Sequence, residues 1–401
     1  MLDTPFSPWP SFTDEEAEAV ARVLRSNRVN YWTGTECREF ESEFARWCGC
    51  EHAVALSNGT LALDVALKAL GIGAGDEVIV TPRSFMASVS CVVTAGATPV
   101  FADVDRETQN LSAATIARVL TPRTRAVVCV HLGGMPCDLD PFMALARERG
   151  LKVIEDCAQA HGARYKGRSV GTIGDVGAWS FCQDKIMTTG GEGGMVTTND
   201  RALWSRMWSY KDHGKSWESV HEKQHPPGFR WVHDSFGTNW RMLEMQAVIG
   251  RIQLGRMAQW TARRNEIASR LGEVLRASQA VRVPSVPDWA KHAFYRLYAF
   301  VQPERLADGW SRDRIIDELR PRGVPCFQGS CPEIYLERAF DGTGWRPAER
   351  LPAACELGET SLAFLVHPTL TDTEVGRMEE AIGAVIGGAG GARPARARAD
   401  G

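Results

Sequence analysis

The sequence lacks any apolar run near the ~18 residues that a helix needs to cross a bilayer, so no membrane-spanning segment is expected. It also lacks an excess of either charge: 46 Lys and Arg against 49 Asp and Glu leave a net charge of −3. That balance offers no electrostatic case for wrapping nucleic acid or adhering to an anionic membrane. The opening stretch, MLDTPFSPWPSFTDEE, is acidic and has no apolar core, so it does not read as a secretory signal. Close cysteine pairs are almost absent. The 11 cysteines are scattered, mostly in apolar runs such as SVSCVV and AVVCVH, and read as reduced core residues of a cytoplasmic protein. Cys48-Gly49-Cys50 stands alone, with no second pair or histidine cluster, so no metal site is expected. No internal repeat appears. What is present is ordinary globular material: 401 residues, 44% hydrophobic and 24% charged, which excludes a disordered, collagen-like or disulfide-stapled chain.

The pattern along the chain is that of an α/β protein. Thr13-Asp14-Glu15-Glu16 is a capping-box sequence, and Val20, Val23 and Leu24 follow at helical spacing. Phe40, Phe44 and Trp47 mark a second helix. Short apolar runs predict strands over 52–56, 78–81, 98–101, 126–131, 153–155, 177–181 and 195–198. Helical patterns over 61–70, 85–95, 113–120 and 141–149 lie between them, which argues for a largely parallel sheet flanked by helices. Past about 239 the pattern changes. A long helix over 243–270, a strand over 293–301 and helices near 312–320 and 373–386 suggest a smaller α+β unit. The expected division is a large α/β domain over 1–255, a small domain over 256–386, and a disordered Gly/Ala/Arg tail over 387–401.

Three local signals carry chemistry. Ser57-Asn58-Gly59-Thr60 joins a strand to a helix. A glycine turn at a helix N-terminus presents free amides and the positive end of the dipole, which suits a phosphate. An ordinary capped turn has the same sequence. Val153-Ile154-Glu155-Asp156 ends an apolar strand in two acids, and ligands favour the carboxyl ends of strands in such sheets. A buried Asp156 asks for a cation, although a helix cap or structural ion pair would also satisfy it. Ser180-Phe181-Cys182-Gln183-Asp184-Lys185 then places a lysine after a buried strand and before a glycine-rich turn, TTGGEGG. A lysine held in a pocket shifts its pKa readily and suits Schiff-base chemistry; on a surface loop it would do neither.

A phosphate cradle, a carboxylate for a ring nitrogen and a reactive amine are together what pyridoxal 5′-phosphate (PLP) requires. The stretches SNGTLAL, GDEVIVTPRSF, GATPVFADVD, IEDCAQAHGARYKG, SFCQDKIMTTGGEGG and GTNWRMLEMQA, in that order, resemble the DegT/DnrJ/EryC1/StrS aminotransferases, the sugar-aminotransferase branch of fold-type I PLP enzymes. The resemblance spans about 12–386. It implies a fold-type I PLP-dependent transferase fold and the following roles. Lys185 is similar to the lysine that joins the cofactor, and Asp156 to the acid that keeps the pyridine nitrogen protonated. Gln159 is similar to the residue bonded to the ring hydroxyl, and Phe85 to the flat side chain against the ring. Gly59, Thr60 and Ser180 match the phosphate contacts. Asn239 matches an asparagine that reaches the phosphate of a neighbouring subunit, which implies a homodimer with shared active sites. The turn after the lysine departs from the family in carrying Gly190-Gly191, one glycine more than usual, before Glu192.

By the same resemblance, the expected reaction moves an amino group from glutamate or glutamine to the keto group of a nucleotide-linked deoxysugar, for cell-surface polysaccharide or natural products. The alternatives are a keto-cyclitol acceptor, a sugar dehydratase, and a non-catalytic regulator. Dehydratase relatives replace the lysine by histidine, and a regulator would have a broken site; Lys185, Asp156 and Gln159 all stand. His161 reads equally as a substrate-facing or a hydrogen-bonded wall residue, and His213 as a structural or loop residue. Trp204 and Trp208, at i, i+4 spacing, read as core. The loop over 216–231 suits either a lid or a dimer contact. Gly171-Thr172-Ile173-Gly174 reads as a plain turn. The segment FQGSCPEIY over 327–335 lies where relatives carry substrate contacts but shows no assignable pattern.

Overall fold

A computed structural model describes residues 6–390 of the chain. The capping box at Thr13 is present: the Glu16 carboxylate accepts the Thr13 amide at 2.7 Å and opens helix α1 (Asp14–Arg25). Next come α2 (Glu36–Cys48), β1 (His52–Leu56), α3 (Gly59–Ala69), β2 (Glu77–Val80), α4 (Ala87–Thr94) and β3 (Thr98–Phe101). They are followed by α5 (Ala113–Ala117), β4 (Thr124–Val130), α6 (Leu139–Arg149), β5 (Lys152–Asp156) and two short strands, β6 (Arg164–Tyr165) and β7 (Arg168–Ser169). The large layer closes with β8 (Val176–Ser180), β9 (Gly194–Thr198), α7 (Arg201–Lys211) and α8 (Trp217–His221).

The seven expected strands form one sheet of order β1-β9-β8-β5-β4-β2-β3. Only β9 runs against the others, so the sheet is mixed and mostly parallel. Its strands are buried on both faces, as alternation within β5 shows. Ile154 packs into the core shared with α3 and α4, whereas Val153 packs into the core shared with α5 and α6.

The long α9 (Glu244–Arg276) runs through the expected division at 255/256 without a break. Its first half packs on α1 and α2, its second half on the C-terminal elements. Those are β10 (Val281–Arg282), β11 (Ala290–Lys291), β12 (Leu297–Val301), α10 (Arg312–Leu319), β13 (Cys326–Phe327), α11 (Pro352–Thr360), β14 (Ser361–Phe364) and α12 (Asp372–Ala389). A four-stranded antiparallel sheet, β10-β12-β14-β13, carries its own core with α9, α10 and α12. Two expectations change here. The strand expected over 293–301 begins only at Leu297, because the amides of Ala293 and Tyr295 are spent on the carbonyls of Gly134 and Gly133, both at 2.9 Å. The disordered tail expected over 387–401 is corrected at its start, because Gly387, Gly388 and Ala389 complete α12; residues 391–401 lie outside those described.

All the cysteines are free. One buried cluster, His131, Glu155 and Cys157, could hold a metal by composition, but its hydrogen bonds already account for it. The Glu155 carboxylate accepts the amides of Gly171, Ile173 and Gly174 at 2.8, 2.8 and 2.7 Å and pairs with His131 Nε2 at 3.0 Å. The turn over 171–174 is therefore more than a plain connection: its amides wrap a carboxylate of the chain itself. Burial pushes the Glu155 carboxyl up, but these donors outweigh it and hold the group below its usual value. Its stabilising contribution is thus complete above the usual carboxylate range and is lost as pH falls through the depressed value. Glu155→Ala leaves the buried amide of Gly171 and the half-buried amides of Ile173 and Gly174 without their acceptor. We expect it to lower the unfolding free energy by about 3 kcal/mol or more, measured by urea denaturation at neutral pH, with the difference from the parent shrinking in acid.

Candidate active site

The parallel strands deliver the candidate residues to one edge, because each follows the carboxyl end of a strand. Asn58 caps α3, its side chain accepting the Leu61 amide at 3.0 Å. The amides of Gly59 and Thr60 sit in the first helical turn, where no carbonyl further back can take them. They face a cavity of about 540 Å³ that is also lined by Phe85, Asp156, Gln159, Ser180 and Lys185. The first turn of α3 lies so close to β8 that a Cβ at Gly59 would stand 2.5 Å from that of Ser180. At Gly191, φ is +130°, which a side chain rarely adopts, so the second glycine of the turn after Lys185 is required by the backbone.

Asp156 is 4% exposed and takes two hydrogen bonds, from Ser88 Oγ at 2.7 Å and the Ala158 amide at 3.1 Å. Among the described residues it makes no ion pair within 4 Å, and burial raises its pKa despite those donors. Gln159 is fixed by the Gly133 amide, which donates to its Oε1 at 2.7 Å and leaves its Nε2 to donate elsewhere. Phe85 is 69% exposed, at the mouth. The Lys185 side chain is mostly buried, and its backbone carbonyl accepts Trp9 Nε1 at 2.8 Å. Burial works against the charged amine, but Tyr295, Asp184, Cys182 and Asp156 together hold its pKa above the usual value.

Seven of the eight expected residues therefore share one cavity. Asn239 does not. It is exposed, bridged to Asp212, and lines no cavity with Lys185. His161 lines neither cavity with Lys185 and is fully buried against Trp179 and Phe181, but it is not hydrogen-bonded there: neither ring nitrogen has a partner among the described residues, and desolvation and the nearby Lys185 charge push its pKa down to about 3. His213 is an exposed loop residue at φ +60°, its amide bonded to the Thr238 carbonyl at 2.9 Å. Trp208 is buried, and it and Trp204 each meet Trp217 at 5.0 Å, as core residues do.

A second cavity of about 320 Å³ adjoins the first and shares Phe85, Gln159, Asp184 and Lys185 with it. Phe327, Gly329, Ser330 and Cys331 of the unassigned segment line it, held there by the Ser84 amide on the Cys331 carbonyl at 3.2 Å. Tyr295 and Arg296 line it from the opposite side. Sequence reasoning passed over Ser88, Asp184, Tyr295 and Arg296. Ser88 lies one helical turn past Phe85 and Asp184 sits beside the lysine, so both carried a faint local signal; the other two carried none.

Residues 10–383 match the DegT/DnrJ/EryC1/StrS aminotransferase family. The chain belongs to that family. It is 38% identical to GDP-perosamine synthase of Caulobacter vibrioides over 351 residues, 87% of this chain and 89% of the relative. Its fold superposes on the X-ray structure of an aminotransferase from Psychrobacter cryohalolentis with a TM-score of 0.94 at 62% identity, covering 96% of this chain and 99% of that one. The PLP form of the putative sugar aminotransferase Spr1654 from Streptococcus pneumoniae superposes with a TM-score of 0.84 at 25% identity, covering 96% and 98%.

The tight seam between α3 and β8 gives a stability test. Gly59→Ala should cost about 1–3 kcal/mol in denaturant unfolding, because its Cβ displaces the helix or Ser180. Gly376→Ala, in α12 with nothing within 4 Å of the added Cβ, should leave stability unchanged or raise it.

Proposed function

We propose that this aminotransferase uses PLP on Lys185 to move an amino group from glutamate or glutamine to the keto group of a nucleotide-linked deoxysugar, in the cytoplasm. The observation that carries the proposal is the buried Asp156 carboxylate, without a cation, sharing one cavity with a lysine amine and a glycine-floored helix N-terminus. These residues fit PLP. Gly59, Thr60 and Ser180 would hold its phosphate, Asp156 its ring nitrogen, Gln159 Nε2 its ring hydroxyl, and Phe85 would cover its face. When bound, the cofactor supplies an electron sink that carries the amino group between two substrates. Lys185 Nζ is the group placed to take a proton from the donor's α-carbon and hand it on, as base and then as acid. Asp156, buried and hydrogen-bonded to Ser88 and Ala158, keeps one orientation and excludes water from the charge it faces. The adjoining cavity, open past Phe327 and Cys331, gives room for the sugar. GDP-perosamine synthase as a relative supports a nucleotide-linked acceptor.

The proposal includes a homodimer with shared sites. Phe229, Trp231 and Phe236 are 75%, 82% and 100% exposed, beside the exposed Asn239. Residues 216–240 line neither cavity of their own chain, so a second copy is the natural cover for this apolar patch.

Two measurements test the reading. The purified protein should show a visible absorption band that bleaches on adding L-glutamate or L-glutamine and returns with a keto-sugar; Lys185→Ala should show none. A parent protein without a band after added PLP overturns the assignment of Lys185. In sedimentation, the parent should run as a dimer, and the double variant Trp231→Ser, Phe236→Ser should dissociate and lose at least ~10-fold in PLP affinity. Dissociation with unchanged PLP affinity would remove the partner's share in the site.

A further inference from the structure

Asp184 precedes the lysine, and its carboxylate is held from the C-terminal unit. Tyr295 Oη donates to Asp184 Oδ2 at 2.5 Å. Arg296 Nη2 lies 3.5 Å from Tyr295 Oη and 4.0 Å from Asp184 Oδ2, with its guanidinium 4.5 Å from the Tyr295 ring centre. The other carboxylate oxygen, Oδ1, is 3.7 Å from Lys185 Nζ. Tyr295 is 6% exposed, and its ring centre is 5.4 Å from the same nitrogen. The clamp closes only because the amides of Ala293 and Tyr295 are tied to the turn at Gly133 and Gly134, which fixes Tyr295 over the lysine.

We infer that Asp184 is a positioning residue: held by Tyr295, its carboxylate keeps the proton on the Lys185 nitrogen. The inference rests on the reading of Lys185 as the cofactor's lysine and adds how its charge is set. Other charged or titratable groups face that nitrogen from each side. Asp156 comes from the end of β5, Cys182 from the lysine's own turn and His161 from behind, while Glu192 lines the same cavity. His161 is neutral, with its pKa pushed down to about 3. Asp156 is committed to Ser88 and Ala158 on the far side of the cavity, whereas Asp184 is the carboxylate within ion-pair reach. Asp184 is half exposed, and the Lys185 charge, the Tyr295 hydroxyl and Arg296 hold its carboxyl below the usual range, so it supplies a fixed negative charge through the neutral range. Arg296 acts in the opposite sense, because its positive charge competes for the same carboxylate. A proton held on that nitrogen would draw electron density from the cofactor carbon joined to it and make that carbon the better target for an incoming amine, so the clamp would favour the first exchange of amines.

The visible band of the PLP-loaded enzyme, titrated with pH, reads the protonation of that nitrogen directly. Asp184→Asn keeps the shape and an acceptor for Tyr295 but removes the charge; its midpoint should fall by about one pH unit or more. Arg296→Gln removes the competing cation, and its midpoint should rise. Shifts of opposite sign cannot come from general loosening of the site. Midpoints of both variants within about 0.3 unit of the parent, well inside the shift expected of an adjacent charge, would overturn the inference while leaving Lys185 as the cofactor's lysine. Absence of any visible band in the parent after added PLP would overturn both. If Asp184→Asn fails to fold, Asp184→Ser takes its place, and a midpoint within about 0.3 unit of the parent refutes the coupling.

Discussion

Two consecutive carboxylates at the end of one strand must point to opposite faces of the sheet, and the site is built on that constraint. Glu155 turns down into the core, where three backbone amides and His131 fix it. Asp156 therefore turns up into the cavity, with no freedom to exchange roles with its neighbour. A slip of one residue in the pairing of β5 with β4 or β8 would swap the two, taking Glu155 from its amides and His131 below and Asp156 from Ser88 above. Packing below the sheet and chemistry above it are thus one problem, and the tightly bonded Glu155 is the part that sets the register.

Above the sheet, the site depends on both parts of the chain. The α/β layer alone supplies the cradle at Gly59, the carboxylate and the lysine. The second part supplies Tyr295, Arg296 and the 327–331 wall. These meet because α9 packs on α1 and α2 with its first half and on α12 and β12 with its second, so one helix carries the small sheet against the large one. Gly133 and Gly134 complete the join: their carbonyls take the amides that would otherwise have extended β12.

Much of this was legible in the sequence. The strands of the large sheet are short and apolar, so their limits were found to within about two residues, and the residues that follow them inherit their place in space. Gly59, Asp156, Ser180 and Lys185 were readable because each sits at a strand end or helix start, where local sequence determines direction. Tyr295 was unreadable for the opposite reason: its position depends on a contact with residue 133, and alternation over 293–301 promises only a strand. β14 was missed because its four residues, all buried and following α11 directly, show no alternation. The role of the 171–174 turn was hidden because amides that wrap a carboxylate have no side-chain signature.

The charges lining the site bear on the proposed partner. The two cavities present Asp156, Asp184 and Glu192 on the acidic side against Lys185 and Arg296 on the basic side. A cofactor phosphate and a nucleotide-linked sugar would bring further negative charge into a space whose own balance is already acidic. The dipole of α3 offsets only part of one phosphate, by about half a unit charge. Under the proposed reading, the missing positive and neutral donors come from the 216–240 loop of a second copy. There Arg230 stands exposed between two exposed aromatic side chains, and Asn239 is exposed and lines neither cavity of its own chain. The same loop would then bury its apolar surface and complete the electrostatics of its neighbour's site in one contact.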